Sequence, residues 1–369
     1  MASLWINRTW DISSPVALAM VFLRAGWATV LLLVGGCAIA EQDIPGASSP
    51  AVLLPLRYTG VIDARSEFRR TLCGINAERG HSFPDYRSCD EIFSFSESQA
   101  ADQPSSRKAS CCYSLVFVPG ILGECVAEIA TPFSDSYDRL RKLGHRVHVI
   151  PVKGRGSSAV NAQIIAQYLA QREQELDRII LIGYSKGVSD ILDALGANSD
   201  AAWTGKIRAV VSVAGVVSGT PAADRTRGLY DTIFADLPWP TCGPGDKGGV
   251  DSLTRKERLE SLANIRLPQH IKYHSLVAVP RSVGINPILA PFHLLLSKDY
   301  GPNDGQVLYQ DAVIPGSYLL GYLNGDHWAV ALPFNRSSSL QAIPLKINNA
   351  FPREVLIDAI LEFVSDRLD

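Results

Sequence analysis

The segment Leu181-Ile182-Gly183-Tyr184-Ser185-Lys186-Gly187 places a serine midway between two glycines. A serine hydroxyl becomes a useful nucleophile at neutral pH only when a neutral imidazole accepts its proton. The imidazole in turn needs a buried carboxylate that fixes its tautomer and stabilises its charged form. The chemistry in question is therefore attack by an alcohol oxygen, with a histidine and an acid brought from elsewhere in the chain. Seven histidines are available: His81, His145, His148, His270, His274, His293 and His327.

The elements that must hold this serine are legible on either side of it. Ile179-Ile180-Leu181-Ile182 is short, β-branched and preceded by Asp177-Arg178, which predicts a strand buried on both faces. Val188, Ile191, Leu192 and Leu195 follow at helical spacing, and Gly196 can end the helix. A strand that reverses directly into a helix brings backbone against backbone, so small residues are needed two before and two after the serine. The hydroxyl then lies near N–H groups at a helix start, which favour a developing negative charge. Gly-x-Ser-x-Gly by itself also occurs by chance in ordinary turns. The strand before it and the helix after it favour the nucleophile. The segment resembles the nucleophile elbow of α/β-hydrolases, the serine lipase and esterase branch in particular.

That resemblance implies a mostly parallel central sheet with helices on both faces and a small cap or lid insertion, spanning about residues 113–369. Tyr113-Ser114-Leu115-Val116-Phe117-Val118 predicts the first core strand, and Pro119-Gly120-Ile121-Leu122-Gly123 follows it. In lipases a glycine-rich turn at this place gives one half of the oxyanion hole; by resemblance the N–H of Ile121 is that half and the N–H of Lys186 the other. The Lys186 side chain is expected to be exposed and outside the reaction. Pro302-Asn303-Asp304-Gly305-Gln306-Val307 matches the Asn-Asp-Gly-x-Val that such lipases carry after a late strand, and Asn324-Gly325-Asp326-His327-Trp328 follows the last one. The family order, Ser185 then Asp304 then His327, leaves no other choice of base, because the remaining six histidines all precede Asp304. Asp326 adjoins the histidine, where neighbouring side chains rarely pair, and Asp299 and Asp311 are the fallback acids. His293 is expected to line a pocket or be partly buried, and His81 to sit exposed on a loop.

The rest of the chain alternates. Helices are expected over 134–143, 159–173 and 352–367, and strands over 146–152, 209–214, 271–279 and 317–322, the pattern of a parallel sheet with crossovers. Gly219-Thr220-Pro221-Ala222-Ala223-Asp224 resembles the lipase segment before a lid. From about 225 to 269, Leu229, Ile233, Phe234, Leu237 and Trp239 precede a glycine-rich loop, which reads as a cap over an acyl pocket or as a packed surface excursion.

Hydrophobic residues make up 47% of 369, enough for one large core. A formal charge of −2 and the lack of a basic run argue against nucleic acid as a partner. No cysteine pair has zinc or redox spacing, so neither metal nor cofactor is implied. Val34-Gly35-Gly36-Cys37 closes an apolar stretch and resembles a bacterial lipobox, with Cys37 as the lipidation site and Met20 as the true start of a signal peptide occupying 1–40. A signal cleaved after Ala38 or Ala40 and an uncleaved anchor are the alternatives. Each places the catalytic part outside the cytoplasm; the first implies an outer-membrane or periplasmic lipoprotein held to the membrane by its acyl chains. Residues 41–55 read as a tether. Residues 56–110 read as a disulfide-stapled extension with a strand and a helix, and residues 111–369 as the catalytic domain. Six cysteines remain, and in an exported protein they would form disulfides; Cys73 with Cys89 is the expected pair, and adjacent Cys111 and Cys112 need different partners. The combined reading is a serine hydrolase of carboxylic esters acting through acyl-Ser185. Thioester hydrolysis, acyl transfer and a non-catalytic binding module remain open.

Overall fold

Short apolar runs form the centre of a seven-stranded sheet in the computed structural model, which describes residues 60–95, 112–226, 243, 245–246, 248–281 and 284–368. The strands are β1 (Ile62–Asp63), β2 (Ser114–Val118), β3 (Arg146–Val149), β4 (Ile179–Tyr184), β5 (Ile207–Val213), β6 (Lys272–Ala278) and β7 (Tyr318–Leu323). Their order is β1-β7-β6-β5-β4-β2-β3, and every neighbouring pair is parallel. The described residues fall in one compact unit, 45–369.

Alternation along the central strands builds two cores. Leu115 and Phe117 of β2 and Ile180, Ile182 and Tyr184 of β4 face one cluster. Val116, Val118, Ile179 and Leu181 face the other. Side chains that alternate at period two on a strand buried on both sides require helices above and below. The first cluster is covered by α1 (Arg65–Arg79), α3 (Tyr137–Lys142) and α8 (Arg353–Ser365). The second is covered by α4 (Ser158–Gln171) and α5 (Lys186–Ala197), with Leu262 of α6 (Arg255–Asn264) at its margin. Two further helices are α2 (Cys89–Ile92) and α7 (Ala290–Tyr300).

The sheet begins earlier than the Tyr113 run. Ile62 and Asp63 pair with Tyr318 and Leu319, and Phe68 of α1 meets Phe363 of α8 edge-on, with ring centroids 5.6 Å apart. Cys73 and Cys89 are joined, but both belong to this N-terminal segment, so the bridge closes it on itself, and strand pairing and core packing attach it to the sheet. Two exposed strand residues carry no periodic signal, which is why sequence alone separates 56–110 from the core. Cys112 and Cys125 are also in disulfides. The strand expected over 146–152 stops at Val149 because Pro151 has no N–H for the ladder, though Ile150 and Val152 stay in the core.

Of the expected cap, the apolar part at 227–242 lies outside the described residues, as do the lipobox, Cys37 and the tether. The later part holds a helix packed on the body. Thr254 caps α6 by accepting from Glu257 N, and buried Arg258 reaches Asp193 of α5 at 2.8 Å, fastening this helix in place. Among the described residues no helix is long and apolar enough to cross a membrane, and no group of three or more His, Cys, Asp or Glu could hold a metal ion.

Candidate active site

Ser185 sits between β4 and α5 with φ 55° and ψ −126°, a backbone conformation that non-glycine residues rarely adopt. Close approach on both sides enforces it. A Cβ on Gly183 would lie 2.9–3.0 Å from Ile191 and Val188 atoms, and one on Gly187 would meet the carbonyl of Val118 and come 2.6 Å from that of Pro119. The turn is held at the sheet by Ser185 N, which donates to Val213 O at 3.2 Å, while its own carbonyl accepts from Val216 N at 3.2 Å.

Three distant segments meet here. His327 Nδ1 lies 2.7 Å from Asp304 Oδ2, and His327 Nε2 lies 2.9 Å from Ser185 Oγ. All three are buried, at 1–2% exposure. Asp304 Oδ1 accepts from Gln306 N at 2.9 Å and Val307 N at 2.7 Å, so the carboxylate is fixed through one oxygen and its other oxygen is left to accept a hydrogen bond from the imidazole. With Nδ1–H directed to the carboxylate, Nε2 is left to accept from the serine hydroxyl. His327 N also donates to Asp304 O at 2.9 Å, tying the two loops by their backbones.

The competing acids are engaged elsewhere. Asp326 accepts from the backbone N–H groups of Asn286, Trp328 and Ala329 at 2.7, 3.0 and 2.8 Å, and burial pushes its carboxyl up to about 6. Asp299 pairs with Arg225 at 2.5 Å. Asp311 pairs with Arg255 at 3.0 Å, and burial raises its carboxyl to about 6. His293 is partly buried on α7, and burial lowers its imidazole. His81 is exposed in a short 3-10 turn, stacked on Tyr86.

The glycine-rich turn after β2 borders the serine. A Cβ on Gly120 would come 2.7 Å from Ser185 Cβ and 3.1 Å from its Oγ, which places Ile121 next to the hydroxyl along the chain. Lys186 is the first residue of α5, where the N–H has no intrahelical partner. Its side chain is buried, not exposed as the sequence suggests: Nζ lies 2.6 Å from Asp190 Oδ1, both side chains 1% exposed. The four-residue spacing on a helix puts the two on one face, and the ion pair allows the burial. Burial pushes the Asp190 carboxyl up, and the neighbouring ammonium opposes that shift.

Two further residues support the constellation. Tyr184 OH donates to the main-chain oxygen of His327 at 2.9 Å, and the rings lie 5.3 Å apart. Asn303 fastens the Asp304 loop, donating to His293 O at 3.2 Å and Ser297 Oγ at 3.0 Å while accepting from Gly305 N at 2.9 Å. A buried tyrosine needs a partner for its hydroxyl, and that need is the sequence signal for the former.

The chain is 36% identical to a metagenomic carboxyl esterase of known crystal structure, with TM-score 0.77, covering 86% of this chain and 97% of that one. The chain belongs to the esterase and lipase family of α/β-hydrolases. The lipase of Staphylococcus hyicus shares the fold of this α/β-hydrolase at TM-score 0.50 and 15% identity, over 73% of this chain and 98% of that one. The mature lipase of Bacillus licheniformis matches at TM-score 0.47 and 20% identity, over 61% and 89%. No family model and no curated protein matches the chain.

Proposed function

We propose that this α/β-hydrolase cleaves carboxylic esters through an acyl-serine intermediate, with Ser185 as nucleophile, His327 as base and then acid, and Asp304 as its orienting carboxylate. The observation that carries this is the unbroken buried relay from Ser185 Oγ to His327 Nε2 and from Nδ1 to Asp304, on a backbone held in an unfavourable conformation. Ser185 Oγ attacks the ester carbonyl as its proton passes to Nε2, and Asp304 stabilises the imidazolium. The carbonyl oxygen, now negative, takes hydrogen bonds from the N–H groups of Ile121 and Lys186. Collapse breaks the bond to the alcohol, which leaves with the proton from Nε2. Water then repeats the sequence, its proton going to Nε2 and later to Ser185 as the acid departs.

The carboxyl esterase relative supports a carboxylic ester as substrate. The apolar residues Leu229, Ile233, Phe234, Leu237 and Trp239, together with a membrane-held N-terminus, favour a lipid acyl group. An alkyl fluorophosphonate should label the wild type and leave Ser185→Ala unlabelled. A folded wild type that stays unlabelled would instead point to a binding module. Turnover of p-nitrophenyl esters of increasing chain length sets the acyl preference, and a preference for short soluble acyl groups defeats the lipid substrate. Disulfides at Cys73, Cys89, Cys112 and Cys125 fit an oxidising compartment and so support export. With Cys37 as lipidation site, Cys37→Ala should move the protein from the membrane fraction to the soluble one; unchanged partitioning argues against lipidation.

A further inference from the structure

The ion pair of Lys186 and Asp190 has no part in the reaction as written. Its placement runs against two tendencies. A cation in the first turn opposes the helix dipole, and an apolar pair of similar volume is commonly as stable as a buried ion pair, or more so. Its surroundings suggest a purpose. Asp190 Oδ2 accepts from Asn161 Nδ2 of α4 at 2.8 Å. Asn161 in turn grips Lys153 from both sides: its Oδ1 accepts from Lys153 N at 2.9 Å, and its Nδ2 donates to Lys153 O at 3.1 Å. The next residue, Gly154, lies against the turn after β2. Its carbonyl accepts from Leu122 N at 2.7 Å, and a Cβ there would come 2.9 Å from Leu122 Cα. Leu122 directly follows Ile121 and has φ 59°, so this turn too is held in a conformation that needs support.

The run Lys186, Asp190, Asn161, Lys153, Gly154, Leu122 thus leads from the residue carrying one oxyanion donor to the neighbour of the residue carrying the other. Those donors belong to different segments, the turn after β2 and the start of α5, and both must aim at one oxygen within hydrogen-bond distance. Apolar packing fills volume, whereas a chain of hydrogen bonds fixes direction as well. Resting on the reading of Ile121 and Lys186 as oxyanion donors, we infer that this buried network is a positioning device that sets the spacing of the two N–H groups, with Asp190 and Asn161 as its positioning residues.

The experiment compares wild type, Asn161→Ala, Asp190→Asn and the double variant Lys186→Met with Asp190→Leu. Each is measured for kcat and KM on p-nitrophenyl butyrate, for inhibition by butylboronic acid, which mimics the tetrahedral intermediate, and for Tm. The expected result is a fall in kcat of roughly 10- to 100-fold with KM nearly unchanged, because misplaced donors weaken the transition state more than the ground state. Boronate affinity should fall in parallel. The apolar double variant should recover Tm while kcat stays low, and it keeps the test open if the single variants do not fold. Variants that lose Tm but keep kcat and boronate affinity, or a double variant in which activity returns with Tm, overturn the inference and leave only a structural ion pair. A wild type that fluorophosphonate does not label overturns the underlying reading as well; a labelled wild type with fully active variants overturns the network alone.

Discussion

Around Ser185 the free space is set to fractions of an ångström, and Gly120 is the glycine that lies against the serine side chain itself. A methyl group there would meet both Cβ and Oγ of the serine, so Gly120→Ala should lower kcat by roughly 100-fold, the scale of a 1 Å misplacement at a reacting centre. Far-UV circular dichroism should stay native, because the clash is with one side chain and the turn can shift locally; an unchanged kcat in Gly120→Ala would place the turn farther from the hydroxyl. Much at this scale is legible in the sequence. Gly183 and Gly187 announce the close approach, and Asp304 and His327 lie in short recognisable motifs. The Lys186 side chain departs from its expected exposure because its environment depends on Asn161 and Asp190, which meet only after α4 packs on α5. Yet Lys186 and Asp190 stand four apart on a helix, and that spacing is a usable sign of pairing. The hydrogen bond from Tyr184 OH to His327 O joins residues far apart in the chain, so the sequence signals that the hydroxyl needs a partner and not which residue supplies it.

Among the elements, α6 shows how a helix within a stretch that reads as a cap can be fastened to the body. Its Arg258 is 1% exposed, bonded to Asp193 of α5 through both carboxylate oxygens at 2.9 and 2.8 Å. Arg258→Ala leaves Asp193 without that partner, and the expected loss is about 3 kcal/mol of stability, seen as a lower denaturant midpoint. Esterase activity per folded molecule should be retained, since α6 adds no group to the relay proposed for Ser185, His327 and Asp304; a large loss of kcat in folded protein would make α6 part of the substrate site. Sequence alone does not separate a packed helix from a moving one, because both need a polar face and a cap. The strands are clearer. β2, β4, β5, β6 and β7 are long enough to alternate, whereas β1 has two residues and takes its place only through β7.

For the molecule as a whole, acid stability should depend on His274. It is fully buried in β6, stacked on Tyr318 with centroids 5.3 Å apart, and burial lowers its imidazole to about 3. The unfolded chain titrates near the ordinary histidine value of about 6.5, so below that pH it binds a proton the folded protein refuses. Stability from this group is therefore whole above about pH 6.5, falls steadily with acidification, and by pH 3 has lost at most about 4 kcal/mol. His274→Phe should flatten the Tm-against-pH curve over this window, and an unchanged slope would assign acid lability to other groups. Burial of the second half of β6 follows from Leu276, Val277 and Ala278, whereas an uncharged imidazole in its first half depends on the covering rings of Tyr318 and Phe363. The edge pairing of Ile62 with Tyr318 also bears on the order of assembly. Synthesis delivers β1 before the other strands of the sheet and its partner β7 after them, so the β1 segment waits for the rest of the sheet before it can dock. During that delay the nearby Cys73 and Cys89 are close enough in sequence to find each other, giving the waiting segment a local closure before the last edge of the sheet is in place.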